Sequence, residues 1–166
     1  MLNPKTLVGE WVSALQSLPT LITVLGNGSG SIQGYSENAV VFGHRTQNNV
    51  RLAILSMPPG SIMVVWQGTR TGRLGNALQF VHDFSLYFRA PESDSVGYED
   101  IFALLVNGTP TGTSLILLHT PIDAYCEPMD FYLPTCARNT VVIGADGSTF
   151  EYFEARVSLI ENTASN

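Results

Sequence analysis

The chain has 166 residues, a net charge of −6, 45% hydrophobic and only 13% charged residues. That length fits one domain over residues 1–166 with a core large enough to exclude a disordered chain, and so low a charged fraction points to a surface partly covered in an oligomer. Eight scattered Lys and Arg against fourteen Asp and Glu exclude sequence-specific DNA or RNA binding, which needs clustered bases, while an acidic wall suits a polyanion in passage.

Asn3 and Pro4 open a helix as N-cap and first helical residue. Leu7, Val8, Trp11, Val12, Leu15 and Leu18 follow as one apolar stripe. Pro19 interrupts it, Leu21, Ile22 and Leu25 add a further turn, and Gly26 ends it. The glycine-rich stretch GNGSGS at 26–31 lacks the preceding strand and following helix that a phosphate cradle requires, and reads as a loop. Residues 31–42 hold a short strand, clearest at 39–42; 43–50 are loop-like, and 51–57 fit either a strand or a helical turn before Pro58 and Pro59.

Residues 61–90, SIMVVWQGTRTGRLGNALQFVHDFSLYFRA, read as two strands joined by a long, charged, glycine-rich connection at 68–77. In the second strand Leu78, Phe80, Phe84, Leu86 and Phe88 share one face, and Gln79, Asp83, Ser85 and Arg89 the other, the pattern of a half-buried strand. Such a tip suits docking better than holding a small reactant. Ser95 is placed to cap a helix carrying Tyr98, Ile101, Phe102 and Leu105, with Glu99 and Asp100 in its first turn and a stop at Asn107-Gly108. A short strand is expected at 114–119 and irregular chain at 120–138. A hairpin closes the sequence: a strand at 140–143, a turn at 145–148, then Phe153, Ala155, Val157 and Leu159 opposite Glu154, Arg156 and Ser158. Residues 162–166 are expected to fray. Helices and strands are segregated, so the class is α+β: a mixed, mostly antiparallel sheet with a long central β-ribbon packed against two amphipathic helices.

Catalytic patterns find little support. His82 and Asp83 are strand neighbours and point to opposite faces, so with Ser85 they cannot form a local triad; His82 reads as a core or interface histidine. His119, Cys126 and Cys136 lack the close pairing of a structural zinc site, and both cysteines read as free thiols. The pairs Glu151/Glu154 and Glu99/Asp100 read as solvated charge. No sequence element calls for a cofactor. No apolar run reaches the ~18 residues of a membrane span, and MLNPKTLVGEW does not read as a signal peptide. Without one, the sequons at Asn27 and Asn107 carry little meaning.

The segments LNPKTLVGEWVSALQSLPTLITVLG, MPPGSIMVVWQG, ALQFVHDFSLYFRA, GYEDIFALLVNG and GSTFEYFEARVSLIE cover most of the chain. In order and size they resemble the tail-terminator (tail-completion) proteins of long-tailed bacteriophages; residues 120–138 stand outside the resemblance. The resemblance implies an α+β fold and a hexameric ring of identical copies on the head-proximal end of the tail tube. It implies as partners the tube protein and a head-completion or connector protein, with genomic DNA only a passing polyanion in the lumen and no membrane. It also implies synthesis in the host bacterial cytoplasm and a final place in the virion at the tail–head junction. It offers no catalytic residue to carry over. From the sequence itself, Gly68, Arg70, Arg73 and Asn76 are the candidate protein–protein contacts. The alternatives are another connector or minor tail protein, a monomeric ligand-binding α+β domain, or a small enzyme without a recognisable motif.

Overall fold

Asn3 caps the first helix by accepting the Lys5 N–H at 3.0 Å, and Pro4 follows at a position whose missing N–H would have no helical partner. The computed structural model describes residues 1–36, 39–45, 49–75, 77–93, 95–107, 126–128, 135–142 and 145–162. Helix α1 (Pro4–Gln16) buries Leu7, Val8, Trp11, Ala14 and Leu15. Pro19 starts a separate helix, α2 (Pro19–Leu25), closed by Gly26. The glycine-rich stretch forms a 3₁₀ turn at Ser29–Ser31 and leads into strand β1 (Ile32–Gly34), in keeping with a loop. A Cβ on Gly34 would lie 2.6 Å from Val8 Cγ1, so glycine there lets α1 settle on the strand.

The small hairpin β2 (Val40–Val41) and β3 (His44–Arg45) precedes α3 (Val50–Leu55), whose N-cap Asn49 accepts the Leu52 N–H. The ambiguous stretch after residue 50 is thus helical. The long strands β4 (Ser61–Leu74) and β5 (Ala77–Arg89) follow, then α4 (Tyr98–Asn107), β6 (Cys126–Pro128), β7 (Thr135–Val142) and β8 (Thr149–Asn162). They form a six-stranded sheet in the order β1-β4-β5-β8, with β6 and β7 successive along the far edge of β8. Among the described strands only β1 is parallel to its neighbour. The fold is therefore α+β with a mostly antiparallel sheet.

Strand β3 falls within residues 43–50, expected to be loop-like, and β6 within 120–138, expected to be irregular. Four further details differ from the sequence expectations. Ser95 does not cap α4: the helix starts at Tyr98, Ser95 bonds Ser93, and the Gly97 N–H donates to the Asp100 carboxylate. Strand β7 begins at Thr135 rather than 140, because the ladder to β8 continues to Thr135↔Arg156. Residue 162 is still paired, opposite Gln79. The fourth is the sheet's burial. One face packs Trp11, Leu15, Leu21, Leu25, Ile101 and Leu105 against Ile62, Val64, Phe84, Leu86, Phe88, Ala155, Val157 and Leu159. The other packs Val41, Ala53, Ile54 and Met57 against Met63, Val65, Tyr87 and Phe150. The ribbon is thus buried on both faces near its base, where a half-buried strand was expected. The continuous apolar run in β4, rather than alternation, is the sequence trace of this. The strand expected at 114–119 lies outside the described residues.

Candidate assembly surface

Pairing between β4 and β5 continues from Gly68↔Asp83 to Leu74↔Ala77. The long connection expected at 68–77 is therefore nearly all strand, with pairing up to Leu74↔Ala77 and Gly75 beyond it at φ +63°. Glycines and arginines read as loop because their composition lacks β-propensity, yet Thr69 and Thr71 supply it. The ladder also slips: Trp66 pairs Phe84 and Gly68 pairs Asp83, leaving Gln67 as the extra residue of a bulge. Beyond it, odd-numbered β4 residues take the face that even-numbered ones hold before it.

Of the candidate contacts, Gly68 sits in the bulge, Arg70 and Arg73 lie on opposite faces of the distal ribbon, and Asn76 lies outside the described residues. Arg70 grips Asp83 across the strands, Nε to Oδ2 at 2.8 Å and Nη2 to Oδ1 at 2.9 Å. Ser158 Oγ donates to the same carboxylate. The Arg70 hydrogen bond holds the Asp83 carboxyl below its usual range, against the opposing effect of partial burial. Arg73 is exposed and, among the described residues, has no carboxylate within ion-pair distance.

The same face continues toward the base as a shallow groove of about 470 Å³. There Ser85 Oγ donates to Glu154 Oε1 at 2.7 Å, Arg156 Nε donates to the same oxygen at 3.0 Å, and Gln67 Nε2 donates to the Tyr87 hydroxyl at 3.2 Å. Burial, with the Glu154 charge beside it, raises the Tyr87 phenol above its ordinary value. Glu154 was expected to be solvated; its side chain is only 13% exposed, because Ser85 and Arg156 enclose it. Glu151 instead pairs with Arg138 at 2.6 Å. The charges of the groove compensate one another within the chain.

The opposite face holds a buried relay that the sequence reading missed. His82 is fully buried; its Nδ1 lies 2.8 Å from Thr69 Oγ1 and its Nε2 lies 2.9 Å from Glu161 Oε2. Glu161 also accepts the Leu2 N–H at 2.8 Å. Burial pushes the Glu161 carboxyl up, but hydrogen bonds from Leu2, His82 and the terminal amine outweigh it, and the carboxyl ends below its ordinary value. His82 and Asp83 do face opposite ways, as strand geometry requires. The partner of His82 stands 79 positions away, and the apolar alternation of β8 ending in an acid was the only signal available. The group order resembles a nucleophile, base and acid. The Thr69 oxygen, however, also lies 3.3 Å from the Trp66 indole N–H, which donates to it, and the imidazole has no exposed surface.

Beyond this relay the ribbon leaves both cores. Leu78 is 44% exposed, and Phe80, Val81 and Ile160 are partly buried yet belong to neither cluster. The outer edge of β4 is paired only at 62–64 by β1, and Tyr35 N–H extends that ladder to the Val64 carbonyl. From Trp66 to Leu74 it has no strand beside it among the described residues. Trp66, 41% exposed, stands at the start of this edge, beside an apolar groove of about 490 Å³ formed with Val8, Val12 and Tyr35.

No protein-family model and no curated protein sequence matches this chain. Among the described residues no helix is long and apolar enough to cross a membrane, and no three His, Cys, Asp or Glu side chains gather as a metal site. His119 lies outside the described residues.

Proposed function

We propose that the chain is a structural ring protein of a long-tailed phage, a tail terminator. Copies of it close a ring, hexameric by resemblance, on the head-proximal end of the tail tube. The ring occupies the tube end so that no further tube subunit adds, and its other side receives the head-completion or connector protein. The observation that carries this reading is the distal ribbon. A strand pair ~45 Å long at ordinary rise runs out of both cores with Leu78 exposed and, among the described residues, with no carboxylate within ion-pair distance of Arg73 and no strand beside one edge. Such an element is costly to leave in water and is commonly covered by another chain. Heterologous contacts of this kind generate closed rings. The residue excess of fourteen acids over eight bases suits a lumen through which DNA passes without sticking.

Particles assembled without this chain test the reading. Tails of uncontrolled length that fail to join heads are the expected result; tails of normal length joined to full heads would overturn it.

A further inference from the structure

Charge is divided unevenly along the chain. Residues 1–82 hold five Lys and Arg against two Asp and Glu, and residues 83–166 hold three against twelve. The first part supplies α1, β1 and β4, the second α4 and β8, so the division crosses the sheet at β5. Exposed charge is also divided lengthwise. At the distal end Arg73 pairs with Leu78, and Lys5 lines the groove beside Trp66. The bond from the Leu2 N–H to Glu161 fixes the start of α1 at this end. Met1, Trp66 and Leu78 stand here too, three of the five large apolar side chains exposed among the described residues. At the base end stand Glu92, in the loop after β5, and Glu99, in the first turn of α4. There the Tyr98 ring stacks on Phe153 at 4.1 Å, and its hydroxyl donates to the Glu151 carbonyl at 3.0 Å. Phe153 pairs with Phe88, which sets the start of α4 about 33 Å from Arg73 along the strands. Among the described residues none of Lys5, Arg73, Glu92 and Glu99 has an opposite charge within ion-pair distance.

We infer that the distal end of one copy, from the Trp66 groove to Arg73, docks on the base end of a second copy at the start of its α4. An exposed apolar patch rimmed by charge marks a contact with another chain, and charge complementarity selects the occupant. Joining two distal ends would set Lys5 and Arg73 against like charges, and joining two base ends would do the same with Glu92 and Glu99. Like charges brought together across an interface suppress it. Distal end against base end is the complementary arrangement. Phe102, partly exposed one turn beyond Glu99, there gives Trp66 an apolar counterpart. Trp66 and Arg73 lie about 20 Å apart along β4, so Lys5 and Arg73 each meet a separate carboxylate. The contact joins two different patches, the kind of contact that closes rings. It rests on the ring reading and specifies which surfaces meet.

The test is the association of the full chain, followed by sedimentation and native mass spectrometry over a wide concentration range. One variant reverses the distal end, Lys5→Glu with Arg73→Glu; the other reverses the base end, Glu92→Lys with Glu99→Lys. The wild type is expected to form a species larger than a dimer, at a threshold that rises with salt. Each variant alone presents like charge at both ends and should need about tenfold or more protein to associate. An equimolar mixture of the two should return to the wild-type threshold, because each variant then meets opposite charge at both of its ends. A thermal melt of each variant checks that the monomer fold is kept. A large oligomer indifferent to both variants overturns the end-to-end contact and leaves the ring reading standing. Two weakened variants that do not rescue one another also overturn it. A two-fold dimer as the end state overturns both the contact and the ring. A monomer at every concentration overturns self-docking and points to a different protein as the occupant; tail length then judges the ring reading separately.

Discussion

His82 on β5 hands its Nε2 hydrogen to Glu161 on β8 at 2.9 Å while its Nδ1 faces Thr69 on β4 at 2.8 Å. One buried imidazole thus ties three strands together at the height where the helices stop covering the sheet. Removing one partner leaves the others buried without compensation. Glu161→Gln is expected to cost about 1–3 kcal/mol, and His82→Leu about 3–5 kcal/mol, by urea denaturation.

The same carboxylate sets an acid limit. Its folded-state value is depressed, so its contribution to stability is fully present above the unfolded carboxyl value of roughly 4.3 and is lost as pH falls through the folded value. Asp83, also depressed by Arg70, acts in the same direction. The midpoint of unfolding should fall on acidification below about pH 4.5, and Glu161→Gln should flatten that slope. A slope identical to the wild type would show that other carboxylates govern acid unfolding.

The Arg70–Asp83 pair is bidentate but the Arg70 side chain is 65% exposed. A double-mutant cycle with Arg70→Ala and Asp83→Asn is expected to return a coupling below about 1 kcal/mol, shrinking further in high salt. The pair orients the tip more than it holds the fold.

Gly75→Ala places a side chain at φ +63° and should destabilise by about 1 kcal/mol. Gly34→Ala meets Val8 Cγ1 at 2.6 Å and should cost about 1–3 kcal/mol as α1 shifts away from β1. Thermal melts separate the two, since only the second should also disturb the near-UV signal of Trp11, which is fully buried in that layer.

Trp66 offers a direct report on assembly. In a Trp11→Phe background its emission should be open to acrylamide quenching in the monomer and protected in the assembled state. Combined reversal, Arg70→Glu with Arg73→Glu, should leave the melt near that of the wild type while abolishing that protection. Unchanged protection would detach the arginines from assembly.

Local signals in the sequence were strong where one element sufficed: the Asn3 cap, the break at Pro19, the faces of β5 and β8, and the opposite orientation of His82 and Asp83 all follow from spacing. They failed where a second element decided the outcome. The apolar run through Met63 and Val65 marks burial on both faces, but nothing in it says that α3 would be the element lying over them. The distal ribbon read as loop because Gly68, Gly72 and Arg73 are poor strand formers, and the cross-strand ladder overrides that preference. Glu154 read as solvated charge, and Glu161 was not singled out, because their partners, Ser85 and His82, come from another strand, and register between distant strands is not encoded in either one alone. Of the contact residues, Arg70 was located at the tip, but its intrachain carboxylate was not foreseen.

Gln67 carries a different kind of information. Taking it out would restore regular alternation at Trp66 and leave every downstream pairing, from Gly68↔Asp83 to Leu74↔Ala77, as it stands. Apart from its side-chain bond to the Tyr87 hydroxyl, its presence alters direction, since a bulge bends its strand and tightens the local twist. The angle at which the tip leaves the body is therefore set by a single insertable residue, independently of the contacts the tip makes. Shortening or duplicating that position would re-aim the ribbon without rewriting it.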